Sequence, residues 1–139
     1  MLLSVPLTTT AHALRTGQLD LATFIEGICA HIDTLEPQIH ALLPEAGRRA
    51  RLLAEARALE ERFPDPARRP GLYGILLGVK DVFNADGLPT RAGSQLPPAL
   101  FAGPEASCVS ALRAAGALIL GKTVSTEFAW AEPGPTRNP

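Results

Sequence analysis

Apolar residues recur along this chain with two different periods. After Asp20, the residues Leu21, Phe24, Ile25, Ile28, Ile32 and Leu35 fall three and four apart, which puts them along one side of a helix. Asp20 suits the N-cap, because a carboxylate can accept from the unpaired amides of the first turn, and Pro37 is expected to end the helix. Before it, Thr8, Thr9 and Thr10 offer capping hydroxyls for a shorter helix through His12 and Leu14. That helix should stop at Gly17, a residue able to take the left-handed conformation past a helix end. A short extended stretch around Ile39 to Leu43 leads to a second long helix, predicted from Glu45 to Phe63, with Leu52, Ala56, Leu59 and Phe63 on one face. The other face is charged. Arg51 with Glu55 and Arg57 with Glu61 sit four apart and add only ~0.3 kcal/mol each, as on a solvated surface.

The pattern changes after Pro64, Pro66 and Pro70. Gly74 to Lys80 is a short, continuous apolar run bounded by turn residues, as in a buried strand. Residues 84–104 show no period and hold Pro89, Pro97 and Pro98; a stretch of that length without regular structure is usually functional or disordered, and the functional reading is preferred here. Glu105 to Ala115 reads as a helix facing inward with Cys108, Val109 and Leu112 and ended by Gly116, and Ala117 to Leu120 as a strand. Strand, helix, strand implies a parallel crossover. The chain therefore divides into a helical segment, 1–70, and the start of an α/β core with a mixed or parallel sheet, 71–139.

Composition adds limits. The 139 residues suit one modest domain, and 46% hydrophobic content is ordinary for a globular protein. Charges are interleaved: Arg48, Arg49 and Arg51 lie among Glu45, Glu55, Glu60 and Glu61, and the net charge is −1, so no basic block invites nucleic acid. Cys29 and Cys108 lie far apart and outside any CxxC pattern, which suggests neither a disulfide framework nor a zinc knuckle and fits a reducing, cytoplasmic compartment. Met1 to Thr10 lacks a positive n-region and is interrupted by Ser4 and Pro6, unlike a signal peptide. No run approaches membrane-spanning length.

Few residues suggest chemistry on their own. Gly116 to Thr123 matches G-x-x-x-x-G-K-[ST] letter for letter, yet a phosphate-binding loop follows a strand and precedes a helix, whereas here a helix comes before and the middle residues are themselves the strand. Cys29 and His31 are two apart on a helix and point in different directions, which disfavours a nucleophilic pair. His12 and His40 have no metal-ligand spacing, and neither a metal nor a cofactor is expected. None of Ser4, Ser94, Ser107, Ser110 and Ser125 stands in a G-x-S-x-G elbow. In a regular run Lys80 shares a strand face with Leu76, Gly78 and Val82, so its ammonium lies beside apolar groups or snorkels out at the strand's end.

From Gly71 onward a series of blocks runs in order: Gly71-Leu-Tyr-Gly74-Ile, Val79-Lys80-Asp81, Gly87-Leu-Pro89-Thr90 with Gly93-Ser94, Ala114-Ala-Gly116-Ala117, Gly121-Lys122-Thr123, Thr126-Glu127-Phe128-Ala129, and Gly134 through Pro139. In that order they resemble the opening of the amidase-signature family. The resemblance implies an amide hydrolase with a Ser-cisSer-Lys triad in which Lys80 is the base. A proton would pass from the nucleophilic serine through the bridging serine to that lysine, and backbone amides would stabilise the oxyanion. An exposed lysine has a pKa of about 10.4, so a base neutral near pH 7 needs a dry niche that lowers it by about three units, or about 4 kcal/mol. The Lys80 side chain is expected to be buried for that reason. Lys122 is read as architecture around the site. Val124 and Ser125 stand where relatives often carry asparagine and methionine. Both triad serines and the oxyanion hole come, in such proteins, from a Gly-Gly-Ser-Ser-Gly-rich stretch that follows the Gly-Pro-Thr-Arg-Asn-Pro segment.

The sequence stops at Pro139, so one triad member and no hydrolysis by this chain alone are expected. The implied partners are a small amide substrate and a complementary chain, with partial unfolding or aggregation in its absence. The competing reading is a non-catalytic interaction module that binds through its amphipathic helices. Simple amides, a glutaminyl-tRNA amidotransferase component, allophanate-type ureas and fatty-acid amides all stay open as substrate contexts.

Overall fold

Two of the predicted apolar stripes pack on each other and on one face of a two-stranded parallel sheet. The computed structural model describes residues 5–130 and 133–138; Met1 to Ser4, which belong to the segment weighed as a signal peptide, and Pro139 lie outside the described residues. The order is α1 (Leu7–Thr16), α2 (Leu21–Ile39), α3 (Arg48–Arg62), β1 (Leu76–Lys80), α4 (Ser107–Ala114) and β2 (Leu118–Thr123). Leu14 of α1, Leu21, Phe24, Ile25 and Cys29 of α2, and Leu52, Ala56 and Leu59 of α3 form one cluster with Tyr73, Ile75 and Leu118. The first three helices lie before residue 70 and both strands with α4 after it, but this core runs across the division. A smaller cluster of Val79, Ala85, Val109 and Ile119 joins the sheet to α4 and the loop after β1. The strands pair in parallel through the α4 crossover, so the architecture is the incomplete α/β arrangement read from the sequence.

Helix ends follow local chemistry, with two corrections. Gly17 closes α1 at φ 75°, and the Asp20 carboxylate accepts from the Thr23 amide at 2.7 Å. The threonines expected to cap α1 lie inside it; Pro6 occupies the cap and supplies no side-chain bond. Pro37 does not end α2, which continues to Ile39 and closes at His40 in the left-handed region, φ 53°. Proline forfeits one intrahelical bond, and the turn around it is held from both ends: the Glu36 carbonyl accepts from His40 N–H at 2.9 Å, and the Glu36 carboxylate accepts from Leu42 N–H at 2.6 Å. α4 is shorter than predicted and buries only Val109; Cys108 is exposed and Leu112 half-exposed, since a helix of eight residues touches the sheet with a single turn.

The hydrogen bonds that Asp20 accepts from Thr23 hold its carboxyl below the ordinary aspartate range. A lowered carboxyl contributes stability above its unfolded value and loses it as pH falls through the folded one. Asp20→Ala should therefore cost about 1 kcal/mol at neutral pH, and the gap to wild type in urea midpoints should close in acid.

The outer edge of β2 is closed and that of β1 is not. Leu42 bridges Thr123, Leu43 N–H donates to Lys122 C=O at 2.8 Å, and Val124 N–H donates to Ala41 C=O at 2.9 Å. Arg51 covers the rest. Its guanidinium donates to the Ile119 and Leu120 carbonyls at 3.0 and 3.3 Å while holding Glu45 and Glu55 at 2.6 and 3.0 Å. Burial opposes its charge, but the two carboxylates outweigh that and raise its pKa further. The solvated pair expected from the sequence is thus a half-buried clamp from α3 onto β2. Arg51→Met should lose about 1.5–3 kcal/mol, the range for hydrogen bonds to a charged group, read as a lower urea midpoint. Among the described residues, β1 pairs with β2 alone and leaves its other edge unpaired.

Candidate active site

The Arg51 clamp falls at an irregularity in the ladder. Leu76 and Leu77 pair with Leu118 and Ile119, but Gly78, Val79 and Lys80 pair with Gly121, Lys122 and Thr123, so Leu120 is an extra residue on β2. Successive carbonyls of a regular strand point to opposite sides; at the extra residue two successive ones reach the same guanidinium. The consequence falls on Lys80 and Lys122, the chain's only two lysines. In a regular ladder they would stand side by side, like charges directly opposed. The shift instead sets Lys122 across from Val79 and Lys80 across from Thr123, on opposite faces of the sheet.

Lys122 enters a dry polar network. Its side chain is 3% exposed, and Nζ lies 2.9 Å from Asp81 Oδ1 and 2.8 Å from Thr90 Oγ1. Asp81 is fully buried, and its carboxylate also accepts from the Arg91 amide at 3.3 and 3.2 Å. The Thr90 hydroxyl donates in turn to Phe83 C=O at 3.3 Å. Ala92 and Gly93 follow at φ 52° and 66°, and a side chain on Gly93 would meet the Ser125 and Thr126 carbonyls at 2.7 and 2.8 Å, so only glycine permits this approach. β2 runs on through the Gly121-Lys122-Thr123 segment, past the strand end expected at Leu120, and the amine that the phosphate-loop pattern would need is committed to Asp81 and Thr90.

Lys80 is placed differently from expectation. It closes β1 as foreseen and shares the face of Gly78, but its side chain is exposed rather than held in a dry niche. The reason is reach. The helical layer covers Ile75, Leu76, Leu77 and Leu118, while towards the end of β1 only Val79 is buried, against Ala85, Val109 and Ile119, and Gly78 and Lys80 on the other face are exposed. The backbone at Lys80 is nonetheless well held: its carbonyl accepts from Val82 and Phe83 N–H at 2.7 and 3.0 Å. Sequence reasoning missed the Asp81, Thr90 and Lys122 network, although each of the three residues stands in one of the resembling blocks.

The serines do not join Lys80. Ser94 and Ser125 are buried in the turns beside Gly93, where Ser94 Oγ accepts from Leu96 N–H and Ser125 Oγ donates to Thr126 C=O. With Arg91, Gln95 and His40 they border a cleft of about 340 Å³ that Lys80 does not line. Cys29 is buried in the helical core, where burial raises its thiol pKa, and His31 is exposed on the same helix, so the two form no pair. Among the described residues, no group of three or more His, Cys, Asp or Glu side chains could hold a metal ion, and no helix is long and apolar enough to cross a membrane.

The parallel strand pair, the exposed Lys80 at its end and the buried Lys122–Asp81 pair all lie within a single family match. The amidase family model matches residues 23–139, and the chain belongs to that family. The chain is 41% identical over 123 residues to a glutamyl-tRNA(Gln) amidotransferase subunit of Oleidesulfovibrio alaskensis, covering 88% of this chain and 24% of that protein. Among solved structures it is similar to an amidase at 34% identity and a TM-score of 0.75, covering 96% of this chain and 31% of the other. It is also similar to the peptide amidase of Stenotrophomonas maltophilia, at 32% identity and a TM-score of 0.70, covering 84% and 24%. The chain thus corresponds to an N-terminal portion of the family fold and spans about a quarter of the length of the curated relatives it matches.

Proposed function

We propose that this chain supplies the base, Lys80, of an amide-hydrolysing site whose two serines and oxyanion hole are provided by the remaining portion of the family fold. One observation carries the reading. Of the two lysines, Lys122 is locked to Asp81 and Thr90, whereas Lys80 is exposed and makes no ion pair among the described residues. A base must reach the hydroxyl whose proton it takes, and the Lys122 amine is already occupied by Asp81 and Thr90.

In this reading the serine hydroxyl attacks the amide carbonyl while its proton passes through the bridging serine to Lys80 Nζ. The tetrahedral intermediate collapses with proton return to the leaving nitrogen, and water then releases the acyl group. The open face at Gly78 and Lys80 and the unpaired edge of β1 are where the remaining portion would close over the amine and strip its water. The match to a glutamyl-tRNA(Gln) amidotransferase component supports a carboxamide as substrate, and the two unpaired cysteines suit a reducing, cytoplasmic compartment.

The test is to combine this chain with the relative from Oleidesulfovibrio alaskensis lacking its matched N-terminal quarter, and to measure ammonia released from glutamine and simple carboxamides. Hydrolysis is expected from the combination and from neither part alone. A non-catalytic interaction module would instead bind a partner with the same affinity after Lys80→Ala and add no hydrolysis to any combination.

A further inference from the structure

We propose that Asp81, Lys122 and Thr90 form a positioning lock for Lys80, and that this is the task of the lysine in the Gly121-Lys122-Thr123 segment. The inference rests on the reading of Lys80 as base, and concerns residues that do not themselves touch the reacting atoms.

Residue 81 is tied in every direction its chemistry allows. Its N–H donates to Thr123 C=O at 3.0 Å, its carbonyl accepts from Ala92 N–H at 2.9 Å, and its carboxylate holds both Lys122 and the Arg91 amide. Thr90 closes the circuit: its hydroxyl accepts from Lys122 and donates to Phe83 C=O. Phe83 N–H in turn donates to the Lys80 carbonyl. The circuit therefore runs from β2 through Asp81, across to Thr90 and back to the residue whose backbone it fixes. Such a pair is not explained by stability, because buried ion pairs can often be replaced by apolar groups at little loss. Fixed geometry is what an ionic and hydrogen-bonded circuit adds, and a base displaced by an ångström loses much of its effect. Lys80 needs this more than most residues: its side chain carries four rotatable bonds and is exposed here, so the backbone is where this chain can hold it.

Lys122→Met or Asp81→Asn alone strands a buried charge and is open to simple unfolding, so Thr90→Val, nearly isosteric, is the decisive variant, with Thr90→Ser as its conservative control. In the full 139-residue chain, hydrogen exchange at the amides of Val82 and Phe83 should quicken about tenfold in Thr90→Val, the effect of losing one charge-assisted hydrogen bond. Amides of α3 should change less than about twofold, as a site outside the circuit, and Thr90→Ser should match wild type. In the combined assembly, kcat should fall about tenfold in Thr90→Val with KM nearly unchanged, and Thr90→Ser should restore it. Unchanged exchange in Thr90→Val overturns the lock, as does quickened exchange with an unchanged kcat. An assembly in which even wild type is inert counts against Lys80 as base, not against the lock, which the exchange arm then decides by itself as a device holding the backbone at Lys80.

Discussion

Replacing Lys122 by methionine should cost this chain about 3–5 kcal/mol, the range for removing one partner of a buried ion pair. The ammonium is 3% exposed and the Asp81 carboxylate fully buried. Without Lys122, Asp81 keeps only the Arg91 amide, too little for a charge out of water. A domain of this size has a total stability of about 5–15 kcal/mol, so the variant should show a large loss in urea midpoint or no cooperative transition. Joining Asp81→Asn to Lys122→Met removes the stranded charge and should recover much of the loss, so the double variant should lose far less than the sum of the single changes. If the two losses instead add, the pair is not joined as the 2.9 Å contact implies.

Lys80→Ala should do the reverse. The side chain is exposed, so the stability of the isolated chain should change by less than about 0.5 kcal/mol. In the combined assembly, kcat should fall by about 10²–10⁴, the contribution of a positioned general base, with KM altered little because the base acts on the transition state. Arginine should not rescue, since a guanidinium does not give up its proton in proteins. In the isolated chain stability alone thus tells the two lysines apart: Lys122→Met lowers it and Lys80→Ala leaves it nearly unchanged.

Much of the frame was legible in the residues. The stripe after Asp20, its cap, the glycine stop at Gly17 and the apolar run before Lys80 all depend on neighbours within a few positions, and the structure has them as read. The ordered blocks from Gly71 to Asn138 also gave the family without any fold. What stayed hidden depends on contacts between distant residues. Arg51 looked like a surface partner of Glu55 because nothing local reveals that its fork reaches Ile119 and Leu120, 68 and 69 residues away. The extra residue at Leu120 has no composition of its own, yet it decides which lysine meets Asp81. The resemblance asks for a dry amine at Lys80, whereas in the structure Lys80 is exposed and the dry amine is that of Lys122. Pro37 misled for a smaller reason: the Glu36 side chain, bonded to Leu42, supports a turn that proline normally breaks.

Having only two lysines makes the decisive measurement simple. Acylation of surface amines with acetic anhydride, followed by peptide mass analysis, reports Lys80 and Lys122 separately in the isolated chain and in the assembly with the remaining portion of a relative. In the isolated chain Lys80 should be modified readily and Lys122 spared; in the assembly Lys80 should become protected and, when modified beforehand, should yield an assembly without amide hydrolysis. A fully hydrolytic assembly built from chain already acylated at Lys80 would contradict the account.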